Sequence, residues 1–219
     1  MNIKNFVKKN SLAVLTVFVT LQLQAQTLKP DLQNLALWNL INRSAIPINE
    51  DGKKAVRINE MPGDGAMILK STNFSNGTIE FDVKGKNVLQ QSFVGFAFHV
   101  QDEKAYDAIY FRPFNFASPD TARRAHSVQY ISSPDYGWEK LRETFPRKYE
   151  NTVQPVPDPD GWFHAKIVID GRKISVFVNN ASKPSLEVEK LTNITKGGVA
   201  LWVGNNSGGS FANLTISER

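Results

Sequence analysis

Alternation of period two constrains this chain most: in segment after segment every second residue is apolar, and Gly, Asn, Asp and Pro fill the gaps between segments. The clearest case is Phe163 to Asn179. Ala165, Ile167 and Ile169 line one face, Asp170-Gly171 supplies residues tolerant of positive φ, and Ile174, Val176 and Val178 return on the same side. This predicts an antiparallel hairpin. The same rule predicts strands at Ala55 to Ile58, Met67 to Lys70, Gly77 to Val83, Phe93 to Val100, Ala105 to Phe111, Ala125 to Ile131, Val199 to Val203 and Phe211 to Ile216. Helical periodicity is nearly absent. Roughly ten to thirteen strands are too many for one open sheet, so the expected fold is all-β, a sandwich of two antiparallel sheets.

Two stretches break the alternation, Pro113 to Arg124 and Ser132 to Gly161. Both exceed ordinary hairpin loops and are rich in Pro, Asp, Arg and aromatics, which makes them candidates for function. In the second, Trp138, Leu141, Arg142 and Phe145 have the spacing of a short helix ended by Pro146. Such a helix could equally do no more than cover a sheet edge.

The amino terminus has the plan of a secretory leader: Lys4, Lys8 and Lys9 without an acid, an apolar stretch from Ser11 to Leu23, then small Ala25. The expectation is a signal peptide over 1–25 and one β-sandwich domain over 26–219. The apolar stretch falls short of the roughly 20 residues of a membrane-crossing helix, and no second such run follows. A secreted or periplasmic, monomeric protein with no integral membrane segment is therefore expected. The chain has no cysteine, which rules out disulfides, thiolate metal sites and a lipid-modified cysteine. Of its 26 basic residues three lie in the leader, so 23 face 21 acids and the remaining net charge is only +2. Nothing in that balance calls for nucleic acid.

Five segments carry a family resemblance: Gly77 to Val83, Tyr106 to Asn115, the hairpin around Asp170-Gly171, Gly198 to Gly204, and Phe211 to Ile216. Together they resemble the concanavalin A-like lectin and glucanase superfamily, nearest in flavour to its laminin-G-like and 3-keto-disaccharide hydrolase-like secreted bacterial domains. The resemblance spans roughly Leu37 to Ile216 and rests on packing features, so it speaks to the fold and not to catalysis. It implies a jelly roll with ligand bound on the concave face or at its rim.

Pleating sorts the faces, because neighbours on a strand point to opposite sides. Val94, Phe96, Phe98 and Val100 share one apolar face, which leaves Gly95, Ala97 and His99 on the other. Ile109 and Phe111 match the core, which puts Tyr110 and Arg112 opposite. Val128 and Tyr130 point in, and Gln129 out. Paired side by side, these strands would gather His99, Tyr110, Arg112 and Gln129 on an open cleft floor, bordered by loops carrying Arg123, Arg124, His126, Tyr136 and Trp138. Aromatic rings stack on the apolar face of a pyranose while Arg, Gln and His hydrogen-bond its hydroxyls. The arginines at the rim would favour an acidic sugar. Each residue also has a plain packing or surface role open to it.

Catalytic residues are not singled out. Retaining glucanases of this superfamily carry Glu-x-Asp-x-Glu or Glu-x-Asp-x-x-Glu on one strand, with the two carboxyls about 5 Å apart. Here Glu80-Phe81-Asp82 supplies half of that motif, but Lys84 and Gly85 follow. His99 and Glu139 are the candidates for acid or base in a 3-keto-glycoside elimination. No metal ligand set is assigned. Calcium stays open, since lectin-like jelly rolls hold it with ligands from separate strands.

Three functions are consistent with these residues: a secreted carbohydrate-binding domain, which leads; a glycan-cleaving enzyme of the same fold; and an adhesion domain that binds protein.

Overall fold

A computed structural model describes residues 27–219; the expected leader, 1–25, lies outside them. In chain order the elements are β1 (Thr27–Leu28), β2 (Trp38–Ile41), β3 (Ala45–Glu50), β4 (Lys53–Ile58), β5 (Gly65–Leu69), β6 (Gly77–Lys84), β7 (Val94–Val100) and β8 (Tyr106–Phe111). There follow α1 (Pro113–Phe116), α2 (Thr121–Arg124), β9 (Val128–Ser133), α3 (Trp138–Thr144), β10 (Glu150–Asn151), β11 (Trp162–Asp170), β12 (Lys173–Val178), β13 (Leu186–Glu189), β14 (Gly198–Val203) and β15 (Gly209–Glu218). The first sheet runs β13-β12-β11-β6-β15-β4-β3 with β1 added on β15, and the second runs β10-β9-β8-β7-β14-β5-β2. The strand pairs are antiparallel, and the fold is a jelly-roll sandwich of two sheets. No described helix is long and apolar enough to cross a membrane.

Between the sheets lies the core, where Phe81 of one meets Phe96 of the other at 5.4 Å and Phe163 meets Phe111 at 5.1 Å between ring centroids. Each such ring contributes on the order of 2–3 kcal/mol by leaving water. The sheets differ on their outer faces. In β6 and β11 burial alternates residue by residue, as it must where one face is solvated. In β8 all six residues are buried, because loops and helices cover the second sheet's outer face as well.

The hairpin closes with Asp170 opposite Lys173, and Gly171 takes a φ of 60° at the first loop position. That conformation suits glycine and the twist of the flanking strands. The short helix forms as expected, with Leu141 its buried residue. The strand expected from Ala125 begins only at Val128, since the Ala125, His126 and Ser127 amides donate back to the Thr121, Arg123 and Arg124 carbonyls of α2, which Asp120 caps at its start. β3 contains Pro47, which is tolerated because β3 is an edge strand.

A larger departure is at His99. Gly198 pairs with Val100 while Ala200 pairs with Ala97, so two residues of β7 face one of β14, and His99 has a φ of 52°. This bulge inverts the inside-outside alternation beyond it. His99 therefore turns into the interior, only 1% exposed, and Val100 turns outward. The expected place of His99 beside Tyr110 is corrected on this ground.

Candidate functional site

Register builds the floor of the site. Tyr110 pairs with Gly95 on one side and with Gln129 on the other, so the three share a row on the outer face of the second sheet. A Cβ on Gly95 would run into the Ile109 carbonyl and Tyr110, so only glycine allows this approach.

Arg112 leaves the end of β8 and folds back over Tyr110, its guanidinium carbon 4.8 Å from the ring centre. Its Nη2 donates to Tyr110 Oη and to Gln129 Oε1, each at 2.6 Å, and its Nη1 donates to the His126 carbonyl at 2.9 Å. Arg112 and Tyr110 are only 4% and 2% exposed. Burial lowers the guanidinium from its ordinary value and raises the Tyr110 phenol, yet arginine keeps its proton at neutral pH. The floor is thus a rigid, buried network rather than a solvated surface.

Beside it stands Glu150 of β10, 5% exposed. Arg142 of α3 grips its carboxylate with Nε and Nη2 at 2.8–3.0 Å. His126 Nδ1 lies 2.7 Å from Oε2, at an angle too bent for a well-formed hydrogen bond, and Arg112 Nη1 lies 4.0 Å away. Arg142 also sits 4.9 Å above the Trp138 ring. Neither Arg142 nor Glu150 stands out as a site residue in the sequence.

Over this network opens a cleft of about 610 Å³. Phe93, Phe114 and Trp138 give it aromatic walls; Arg112, Arg123, His126 and Arg142 line its polar side. Asn115 lines it too, with a buried Oδ1 that has no hydrogen-bond partner. Leu89 and Gln90, from the β6–β7 connection, complete one rim together with Asn205 and Asn206.

Of the residues proposed from sequence, Arg112, Arg123, His126 and Trp138 line the cleft, and Tyr110 and Gln129 lie directly beneath Arg112. Arg124 is turned away, donating to the Ser118 and Pro119 carbonyls. Tyr136 packs beneath Lys140, and Glu139 is exposed on the first turn of α3; neither lines the cleft. Glu80 and Asp82 project from the outer face of the first sheet, across the sandwich from the cleft.

The outer face of the second sheet has another, smaller hollow, lined by Asp64, Asp102, Glu103 and Tyr106. Trp202 Nε1 donates to Tyr106 Oη at 3.2 Å and its ring lies 5.1 Å from Tyr110, so an aromatic row links the two hollows. Burial, and then the Asp64 charge, push the Tyr106 phenol up to about 12. Among the described residues no three His, Cys, Asp or Glu side chains converge as metal ligands. Among the described residues the carboxylate beside the cleft, Glu150, is already held by Arg142, so the cleft does not fit calcium, which takes six to eight oxygens.

The fold is shared with carbohydrate-handling proteins of low sequence identity. A carbohydrate-binding module, CBM66 from Bacillus subtilis, superposes with a TM-score of 0.60 at 14% identity, over 85% of this chain and 99% of that one. The exoplasmic/lumenal domain of VIP36 in its Ca2+/Man3GlcNAc-bound form gives 0.55 at 12% identity, over 89% of each chain. The β-glucanase of Bacillus licheniformis gives 0.55 at 13% identity, over 90% of this chain and all of that one. A search of curated protein sequences returned no match. One sequence family matches residues 29–217, nearly the whole described sandwich, and on that match the chain belongs to the 3-keto-alpha-glucoside-1,2-lyase-like domain family.

Proposed function

We propose that this protein binds a saccharide, outside the cytoplasm, in the cleft between Trp138 and Arg112. One observation carries this: the aromatic walls of Phe93, Phe114 and Trp138 stand opposite the polar groups of Arg112, Arg123, His126 and Arg142. A sugar ring offers an apolar face to the first and hydroxyl oxygens to the second. The fold neighbours and the family support the ligand class, and the leader-like residues before Ala25 support export. The test is calorimetric titration of the mature protein with a panel of oligosaccharides, followed by product analysis of every ligand. A folded protein that binds none of them would refute the reading.

The His126–Glu150 contact favours a second reading, elimination from a 3-keto-glycoside. With Nδ1 turned toward a carboxylate, Nε2 is the nitrogen left to act on a ligand. It would take the proton from the carbon between the ketone and the anomeric centre. The resulting enolate would expel the glycosidic oxygen as the carbon–carbon double bond forms, and the same proton would then pass to the departing alkoxide. Arginines beside the cleft would stabilise the enolate charge. Incubation with a 3-keto-α-glucoside should yield the free alcohol and an unsaturated keto-sugar, and His126→Ala should abolish this. An unchanged substrate would leave binding alone.

A further inference from the structure

The charges around the cleft are strongly one-sided. Its lining includes three guanidiniums, Arg112, Arg123 and Arg142, with His126 and no carboxylate. Behind the lining, Glu150 is, among the described residues, the acid within ion-pair range of Arg112, His126 and Arg142, and Arg142 already takes both its oxygens. Arg112 donates only to neutral oxygens. Arg123 makes a single long bond, 3.4 Å to the Phe114 carbonyl, and among the described residues it pairs with no carboxylate. Cationic groups gathered in a partly buried hollow raise its potential, and they are stabilised by an anion that enters.

The other end of the same sheet face has the opposite sign. Asp64, Asp102 and Glu103 line the smaller hollow and no cation does. The charge contrast would not direct a neutral ligand to either end; it would direct a charged one.

From this asymmetry we infer that the saccharide is anionic, with a carboxylate or sulfate on the ring that enters between Arg123 and Trp138. This rests on the saccharide-binding reading and narrows it. A guanidinium meets either anion with two parallel N–H groups, while the ring covers the Trp138 face. Arg123 is the residue that decides the preference, because its one internal bond is long and, among the described residues, it pairs with no carboxylate.

Binding should be measured by calorimetry at about 20 and about 200 mM NaCl, since salt screens partly exposed charges. The probes are a trigalacturonate, its carboxyl-reduced counterpart, a sulfated galactose oligosaccharide and its desulfated parent. The expected result is that at least one anionic probe binds about tenfold or more tighter than its neutral counterpart, as a charge-assisted hydrogen bond warrants. That advantage should shrink with salt, fall most of the way in Arg123→Gln and fall by less in Arg123→Lys, which keeps the charge but loses the two parallel N–H groups. The carboxylate and sulfate arms identify which anion is preferred. Arg123 lies on a partly exposed last turn, and circular dichroism verifies that both variants fold. Equal affinity for charged and neutral probes would overturn the inference and leave saccharide binding standing. An anionic preference unchanged in Arg123→Gln would overturn the site. No binding of any probe by folded protein would overturn both readings.

Discussion

His99 Nδ1 lies 3.3 Å from Lys190 Nζ at a sealed end of the sandwich, with both side chains at most 2% exposed. His99 Nε2 faces the Ser75 carbonyl at 2.8 Å, so that nitrogen bears the hydrogen and Nδ1 is left to accept from the ammonium. Lys190 also donates to the Ile194 carbonyl, and burial lowers its ammonium from the ordinary value. Nearby, Asp107 accepts from Tyr130 at 2.6 Å and from Thr192 at 3.2 Å. The cluster pins the stretch after β13 to β7 and β8. Replacing His99 by Phe removes one of the buried ammonium's acceptors and leaves it the Ile194 carbonyl, and should destabilise the protein by about 1–3 kcal/mol in urea unfolding, with saccharide affinity unchanged. Lost affinity in a variant of normal stability would contradict the placement of His99 outside the site.

Glu150 is the hub between Arg142, His126 and Arg112. Glu150→Gln leaves three cationic or hydrogen-donating groups facing a neutral amide, and should cost about 3 kcal/mol in chemical denaturation. A loss under about 0.5 kcal/mol would mean that the network contributes little to stability.

Trp138 is 44% exposed, so removing it leaves the core intact. Trp138→Ala should weaken the tightest saccharide ligand about tenfold while the stability changes by less than about 0.5 kcal/mol. Calorimetry and a thermal melt together check this, and intact affinity would exclude Trp138 as a stacking platform.

On the first sheet's outer face, Asp82 accepts from His164 at 2.9 Å, Lys53 at 2.8 Å and Asn213 at 2.7 Å. Burial alone would raise the Asp82 carboxyl, but these donors outweigh it and bring it from 3.8 down to about 2. The Asp82 hydrogen bond raises His164 above its ordinary 6.5. Asp82 therefore stabilises the fold fully above its unfolded value, and this is lost as pH falls through about 2. His164 stabilises fully below about 6.5, and this is lost as pH rises through its raised value. Melting temperature measured against pH should decline on both limbs. Asp82→Asn should cost about 1–2 kcal/mol near neutrality and flatten the acid limb, and His164→Gln should flatten the alkaline one. Unaltered limbs would refute the assignment.

Tyr110, Arg112 and Gln129 can be placed from sequence because β8 and β9 alternate without interruption, so parity alone puts them on one face. His99 cannot, since nothing in Val94 to Val100 announces the extra residue that inverts parity. Trp138 to Phe145 shows helical spacing, but the meeting of Arg142 with Glu150 depends on β10 pairing with β9, a contact without a local signal. Burial of the floor was also not apparent: polar residues at outward parity read as solvated, whereas Phe93, Phe114 and α3 close over them. Arg112→Ala and Tyr110→Ala are therefore expected to lower stability as well as affinity.

β10 has a consequence beyond the cleft. It ends the second sheet as β13 ends the first, and the Asn151 side chain donates across to the Ser185 carbonyl at 2.9 Å while the Gln154 amide donates to Ser185 Oγ at 3.0 Å. The two open borders of the sandwich are laced together there, and a strand of only two residues offers little template for recruiting a foreign chain. Since Glu150 belongs to that same short strand, loosening it would unfasten the ligand floor and expose a sticky border in one event, tying resistance to aggregation to the integrity of the site.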